Sequence, residues 1–145
     1  MQIERETVIA APVERVWALL TEADHVGRWF CDAGAEIDLR PGGAMVLRWT
    51  EHGTALAEVV DVEPPRRFAY RWATEADAEP REDNSTLVEF TLDRTGDGTR
   101  LRVVESGFED LADSEEQRRA RFEQNSEGWE IQLGRVRAEA ERVTA

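Results

Sequence analysis

The chain has no lysine, one cysteine, two histidines and one tyrosine among its 145 residues. Each shortage removes a chemistry. Without lysine there is no Schiff-base nucleophile and no P-loop lysine to grip a phosphate. The lone Cys31 excludes an internal disulfide framework and a multi-cysteine zinc site, and with no base close by in the chain it reads as a buried, inert thiol. His25 and His52 have no third ligand at metal-binding spacing, so neither a metal nor a cofactor is expected. No apolar run approaches the roughly 18 residues of a membrane span. The start, MQIERETV, lacks the basic-then-apolar pattern of a secretory leader. The expectation is a cytoplasmic protein with no membrane partner.

Positive charge is also scarce. There are 31 acids against 18 bases, a net charge of −13. Such a surface repels a phosphate backbone, which argues against a nucleic-acid partner. The imbalance grows along the chain: residues 1–74 hold 12 acids and 8 arginines, residues 75–145 hold 19 and 10. A solvated, solubilising surface accounts for it.

What is present is enough for one folded domain over residues 1–145, with five tryptophans and five phenylalanines to pack. Residues 2–10 alternate as a strand, with Ile3, Arg5, Thr7 and Ile9 on one face. Pro12 suits the first turn of a helix whose stripe is Val13, Val16, Trp17 and Leu20. Thr21, with Asp24 three residues on, reads as the cap of a second short helix ending near Trp29 and Phe30. From Ala35 to Phe108 the pattern is β throughout, with strands near 35–40, 44–50, 54–63, 67–74, 86–94 and 99–107. Turns this short pair the strands antiparallel, as a meander. The acidic run 75–84 reads as a mobile loop or hairpin tip. Ser114 and Gln117 form a capping-box pattern ahead of a long helix reaching about Val143, striped by Phe122, Trp129, Leu133, Val136, Ala140 and Val143. Gly128 costs about 1 kcal/mol relative to alanine inside a helix, so a break at 125–128 is expected. The four residues 118–121, RRAR, read as a solvated face. The order is strand, two helices, six strands, long helix. A curved antiparallel sheet of about seven strands wrapped around one C-terminal helix is an α+β fold.

Five stretches carry a resemblance: IAAPVERVWALLTEADHVGRWF at 9–30, PGG at 41–43, VVDVEPPRRFAYRW at 59–72, STLVEFTLDRTGDGTRLRVVESGF at 85–108 and GWEIQLGRV at 128–136. Together, in this order and over nearly the whole chain, they resemble the helix-grip (START/Bet v 1-like, SRPBCC) superfamily. Within it they are most similar to the family of homologues of the activator of heat-shock-protein-90 ATPase. The resemblance implies a cavity between the sheet and the long helix, entered at the sheet's open end. The superfamily includes lipid carriers, hormone-binding proteins, polyketide cyclases and aromatases, and cochaperone domains, so it fixes no single activity.

Alternation gives the concave face: Met45, Leu47 and Trp49; Phe68, Tyr70 and Trp72; Val88, Phe90 and Leu92; Leu101, Val103 and Glu105. Trp129 from the long helix and Trp29 and Phe30 from the second short helix close over it. Candidate ligand-binding residues are therefore Trp29, Phe30, Leu47, Trp49, Tyr70, Trp72, Phe90, Val103, Glu105, Phe108, Trp129 and Leu133. A space so lined suits a small apolar or aromatic ligand in a cavity of about 300–1,000 Å³; alternatively the rings fill the core. Glu105 is the oddity, a carboxylate on an apolar strand face, which must pair, find water or take up a proton. It is either a ligand-orienting group or catalytic acid/base, or it pairs with an arginine or is turned outward by a bulge before Ser106 and Gly107. Of Glu58 and Asp61, one is expected to face inward. Tyr70 needs a partner for its hydroxyl. The leading expectation is a binding module. The alternatives are a cyclase- or aromatase-like enzyme using an inward carboxylate, and a cochaperone-like domain with a chaperone partner. A homodimer through an edge strand is also open.

Overall fold

The structure, a computed structural model, describes residues 1–142. Val143, the last position of the expected helical stripe, lies outside the described residues. Strand β1 spans Gln2–Ile9, helix α1 Val13–Thr21 and helix α2 Ala23–Trp29. Six strands follow: β2 Ala35–Ile37, β3 Ala44–Trp49, β4 Gly53–Glu63, β5 Arg67–Ala73, β6 Ser85–Thr95 and β7 Gly98–Ser106. A short turn of 3-10 helix at Phe108–Asp110 leads to helix α3, Glu115–Arg142. The sheet has seven strands in the order β1-β7-β6-β5-β4-β3-β2, and every pairing is antiparallel. The meander runs from β2 to β7, and β1 returns to close the far edge beside β7. This is the α+β helix-grip architecture expected.

Alternation sets which side chains turn inward, because a one-residue slip would expose a whole strand face. Phe68, Tyr70, Val88, Phe90, Leu92, Leu101, Val103, Met45 and Leu47 are all buried on the concave side. Helix α3 lays Trp129, Leu133, Val136 and Ala140 against them. Arg5 of β1 reaches α3, its Nη2 donating to Ser126 Oγ at 2.5 Å.

Four local expectations need correction. Helix α3 runs unbroken through Gly128: about 1 kcal/mol of lost propensity is outweighed by burying the Trp129 and Leu133 side chains, at roughly 1.5–3 kcal/mol for a leucine-sized group. Thr21 is the last residue of α1, not the cap of α2; its hydroxyl donates back to the Trp17 carbonyl at 2.8 Å, and Glu22 precedes α2. A bulge between Val59 and Asp61 shifts the β4 register, so neither Glu58 nor Asp61 faces inward. Glu58 is exposed, and Asp61 accepts from Arg67 Nε at 2.7 Å on the outer face. The run 75–84 connects β5 to β6 as expected, but it is tied down. The Asp77 N–H donates to the Thr54 carbonyl at 2.8 Å, and Thr74 and Ala112 N–H groups donate to the Asn84 and Asp83 carbonyls, each at 2.8 Å. The capping box, by contrast, forms as read: Gln117 N–H donates to Ser114 Oγ at 3.1 Å, and Ser114 N–H to Gln117 Oε1 at 3.3 Å.

Candidate functional site: an aromatic groove over a buried carboxylate

Glu105 has no solvent exposure, and no arginine reaches it among the bonds of the described residues. It pairs in register with Val88 and Ile3, without a bulge. Its partners are four neutral donors. Trp129 Nε1 donates to Oε1 at 2.8 Å; Trp72 Nε1 and Thr86 Oγ1 donate to Oε2 at 3.0 and 2.6 Å; Asn125 Nδ2 bridges both oxygens at 3.1 Å. Bonds to an ionised acceptor are the strong kind. Here they tie two strands and the helix to one point. Asn125 and Trp129 stand one turn apart on α3 and so reach the same carboxylate. Both indole N–H groups are consumed beneath the sheet surface, which fixes how the two rings stand above it.

Those rings belong to a stack. Phe30, at the end of α2, stacks on Trp72 with centroids 5.9 Å apart and on Trp129 at 5.6 Å. Trp72 and Trp129 are 5.9 Å apart. Trp49 meets Phe30 edge-on at 5.5 Å, and its Nε1 donates to the Phe30 carbonyl at 3.0 Å. Phe30, Trp49, Trp72 and Trp129 wall an open groove of about 360 Å³. The groove lies at the open end of the sheet, between the β3–β4 and β5–β6 turns and the middle of α3. Its remaining wall mixes the small residues Ala55, Ala73 and Ala76 with polar ones, among them His52, Thr54, Glu75, Arg121, Asn125 and Gln132.

The other expected ligand residues lie elsewhere. Leu47, Tyr70, Phe90, Val103, Phe108 and Leu133 are buried in the core and do not line the groove. Glu105 sits beneath the groove. Trp29 is anchored to the Leu19 carbonyl at 2.5 Å and borders a separate cleft with Arg28 and Arg135. The sequence reading missed His52, Arg121, Asn125 and Gln132. The last three stand at spacings of four and seven residues on α3, a helical face that an apolar stripe does not reveal. Nor is RRAR simply a solvated face. Arg121 donates from Nε to Asp113 Oδ2 at 2.9 Å and from Nη1 to the Thr74 carbonyl at 3.1 Å, and Arg118 holds the Leu111 carbonyl at 3.2 Å.

Two further groups are set by burial. The Tyr70 hydroxyl is buried with no hydrogen-bond partner among the described residues. Desolvation, then the nearby Glu105 charge, hold the phenol well above its ordinary value. The Cys31 thiol is buried and pushed up chiefly by desolvation; its Sγ donates to the Gly34 carbonyl at 3.3 Å. Among the described residues no group of three or more His, Cys, Asp or Glu side chains is placed to hold a metal, and no helix is long and apolar enough to cross a membrane.

A curved sheet gripping a C-terminal helix, with an aromatic groove at its open end, defines a helix-grip domain. The sequence profile of the family described as activator of Hsp90 ATPase homolog 1-like protein matches residues 10–141, and the chain belongs to that family. Similar solved structures agree on the fold. Protein MLL2253 from Mesorhizobium loti is 24% identical, with 99% of this chain and 98% of that one covered and a TM-score of 0.81. CalU16 from Micromonospora echinospora is 26% identical over 93% of this chain and 73% of that one, at 0.69. The Aha1 dimer from Colwellia psychrerythraea is 17% identical over 97% and 96%, at 0.76. No curated protein matches the chain significantly.

Proposed function

We propose that this protein binds a small, flat, apolar or aromatic molecule in the groove between Trp49, Trp72 and Trp129. The observation that carries the reading is the groove itself. It offers about 360 Å³ of open space against the half-buried rings of Trp49 and Trp72, alongside the buried Trp129 and Phe30, and the N–H edges of the three indoles are already bonded elsewhere. Such sites are mostly apolar walls with a few placed polar groups, and a flat ring stacks on indole better than an aliphatic chain does. Glu105 serves as a positioning residue in this account. Both its oxygens already accept bonds, and its role is to hold the two indoles in place rather than to move a proton. A homodimer draws support only from the dimeric state of the Colwellia relative.

Titration of the protein with naphthalene derivatives, followed by tryptophan fluorescence and thermal shift, tests the reading. Stabilisation of roughly 2.7 kcal/mol is expected at a hundredfold excess over the dissociation constant, with Trp129→Ala abolishing it. An unshifted melting curve across a panel of flat aromatic and aliphatic ligands would overturn the reading and direct attention to a protein partner.

A further inference from the structure

The polar atoms around the groove are unequally employed. The Trp72 and Trp129 N–H groups and the Asn125 amide donate to Glu105. The Trp49 N–H donates to the Phe30 carbonyl, and Arg121 is engaged with Asp113 and the Thr74 carbonyl. Gln132 is different. It lines the groove, yet its side-chain oxygen is buried and accepts no hydrogen bond among the described residues. Gln132 stands where α3 passes from solvent to sheet, one residue before the buried Leu133. A buried acceptor left without a donor is unfavourable, and the balance improves when one is supplied.

We infer that Gln132 is the specificity-determining residue of the groove, and that the ligand is a flat aromatic molecule carrying an O–H or N–H donor, such as a phenol or aryl amine. This rests on the groove being a ligand site. The ring faces accept any arene, whereas the buried Gln132 Oε1 accepts only from a donor. An aryl ether of the same shape leaves Oε1 unpaired, and Gln132 can offer it the Nε2 donor only by turning its amide over. An aryl carboxylate does the same with a full negative charge, inside a chain whose net charge is −13.

The test compares naphthol with methoxynaphthalene by tryptophan-fluorescence titration of the full chain. Wild type is expected to bind naphthol about tenfold or more tightly than the ether, the value of one satisfied buried acceptor. Gln132→Leu should erase the preference by weakening naphthol alone. Gln132→Glu, which keeps an acceptor in place, should retain it. Both arenes binding wild type equally, or the ether binding better, overturns the inference and leaves the groove reading intact. Neither arene binding overturns the groove reading, and this inference with it.

Discussion

Replacing Glu105 with alanine removes the acceptor that four donors share, and the consequences differ by donor. Thr86 is on the strand beside Trp72, and the Trp72 N–H has the Thr86 hydroxyl within 3.1 Å as a second partner, so that indole keeps a bond. Asn125 is half-buried and can turn to water. Among the described residues the Trp129 N–H has only the carboxylate as partner, and Trp129 is 2% exposed. It is left as a buried orphan at about 1–3 kcal/mol. Losing charge-assisted bonds adds to this, while relief from burying a charge subtracts. The net expectation is a loss of about 3 kcal/mol, or roughly 10 °C in Tm for a domain of this length. Urea unfolding followed by near-ultraviolet circular dichroism measures it. Trp129→Phe should cost less than Glu105→Ala, because the carboxylate keeps three donors. The tryptophan signal of folded Glu105→Ala should also change, since two indoles lose their tether. Stability within about 0.5 kcal/mol of wild type, the range of an ordinary surface substitution, with an unaltered tryptophan spectrum, would refute the claim that this carboxylate sets the groove.

Tyr70 is the sole tyrosine, so its ionisation can be followed directly in the ultraviolet spectrum. The folded chain holds a proton that the unfolded chain releases near pH 10. The contribution of Tyr70 to stability is therefore complete below that pH and is lost as pH rises toward its folded value; tyrosinate absorbance should appear only together with unfolding. On the outer face, Arg67 binds Asp61 and Glu89, each at 2.7 Å, and the bond from Arg67 holds the Asp61 carboxyl below its ordinary value. Its small contribution is present above about pH 4 and falls away as acid protonates it. A pH series of urea midpoints should show this slope flatten in Arg67→Ala. A methyl group added at Gly128 meets nothing within 4 Å, so Gly128→Ala should stabilise the chain by about 0.5–1 kcal/mol in chemical denaturation.

The fold was legible because its signals are redundant. Each inner strand face is buried as a unit, so alternation in Phe68, Tyr70 and Trp72 or in Leu101, Val103 and Glu105 carries its own orientation. The α3 stripe does likewise through Trp129, Leu133, Val136 and Ala140. Errors arose where one residue decides the outcome. The bulge at Val60 has no period of its own, and without it one of Glu58 and Asp61 would have turned inward. Gly128 and Thr21 carry local preferences that packing and back-bonding override. Glu105 was legible as an inward carboxylate, but its partners were not. Thr86, Trp72 and Asn125 meet only after strand register and helix rotation bring three distant segments together. For the same reason the twelve expected ligand residues divide into four that wall the groove and eight that lie outside its lining. Alternation separates inside from outside; it does not separate a packed interior from an open end.

The most direct test of a groove walled by Trp49, Trp72 and Trp129 is a proton–nitrogen correlation spectrum of the five indole N–H groups, assigned by single Trp→Phe variants and recorded with and without naphthol. The account predicts that the signals of Trp49, Trp72 and Trp129 move in proportion to bound ligand. Those of Trp17 and Trp29, which do not line the groove, should stay in place. Five unmoved signals, or movement confined to Trp17 and Trp29, would contradict it.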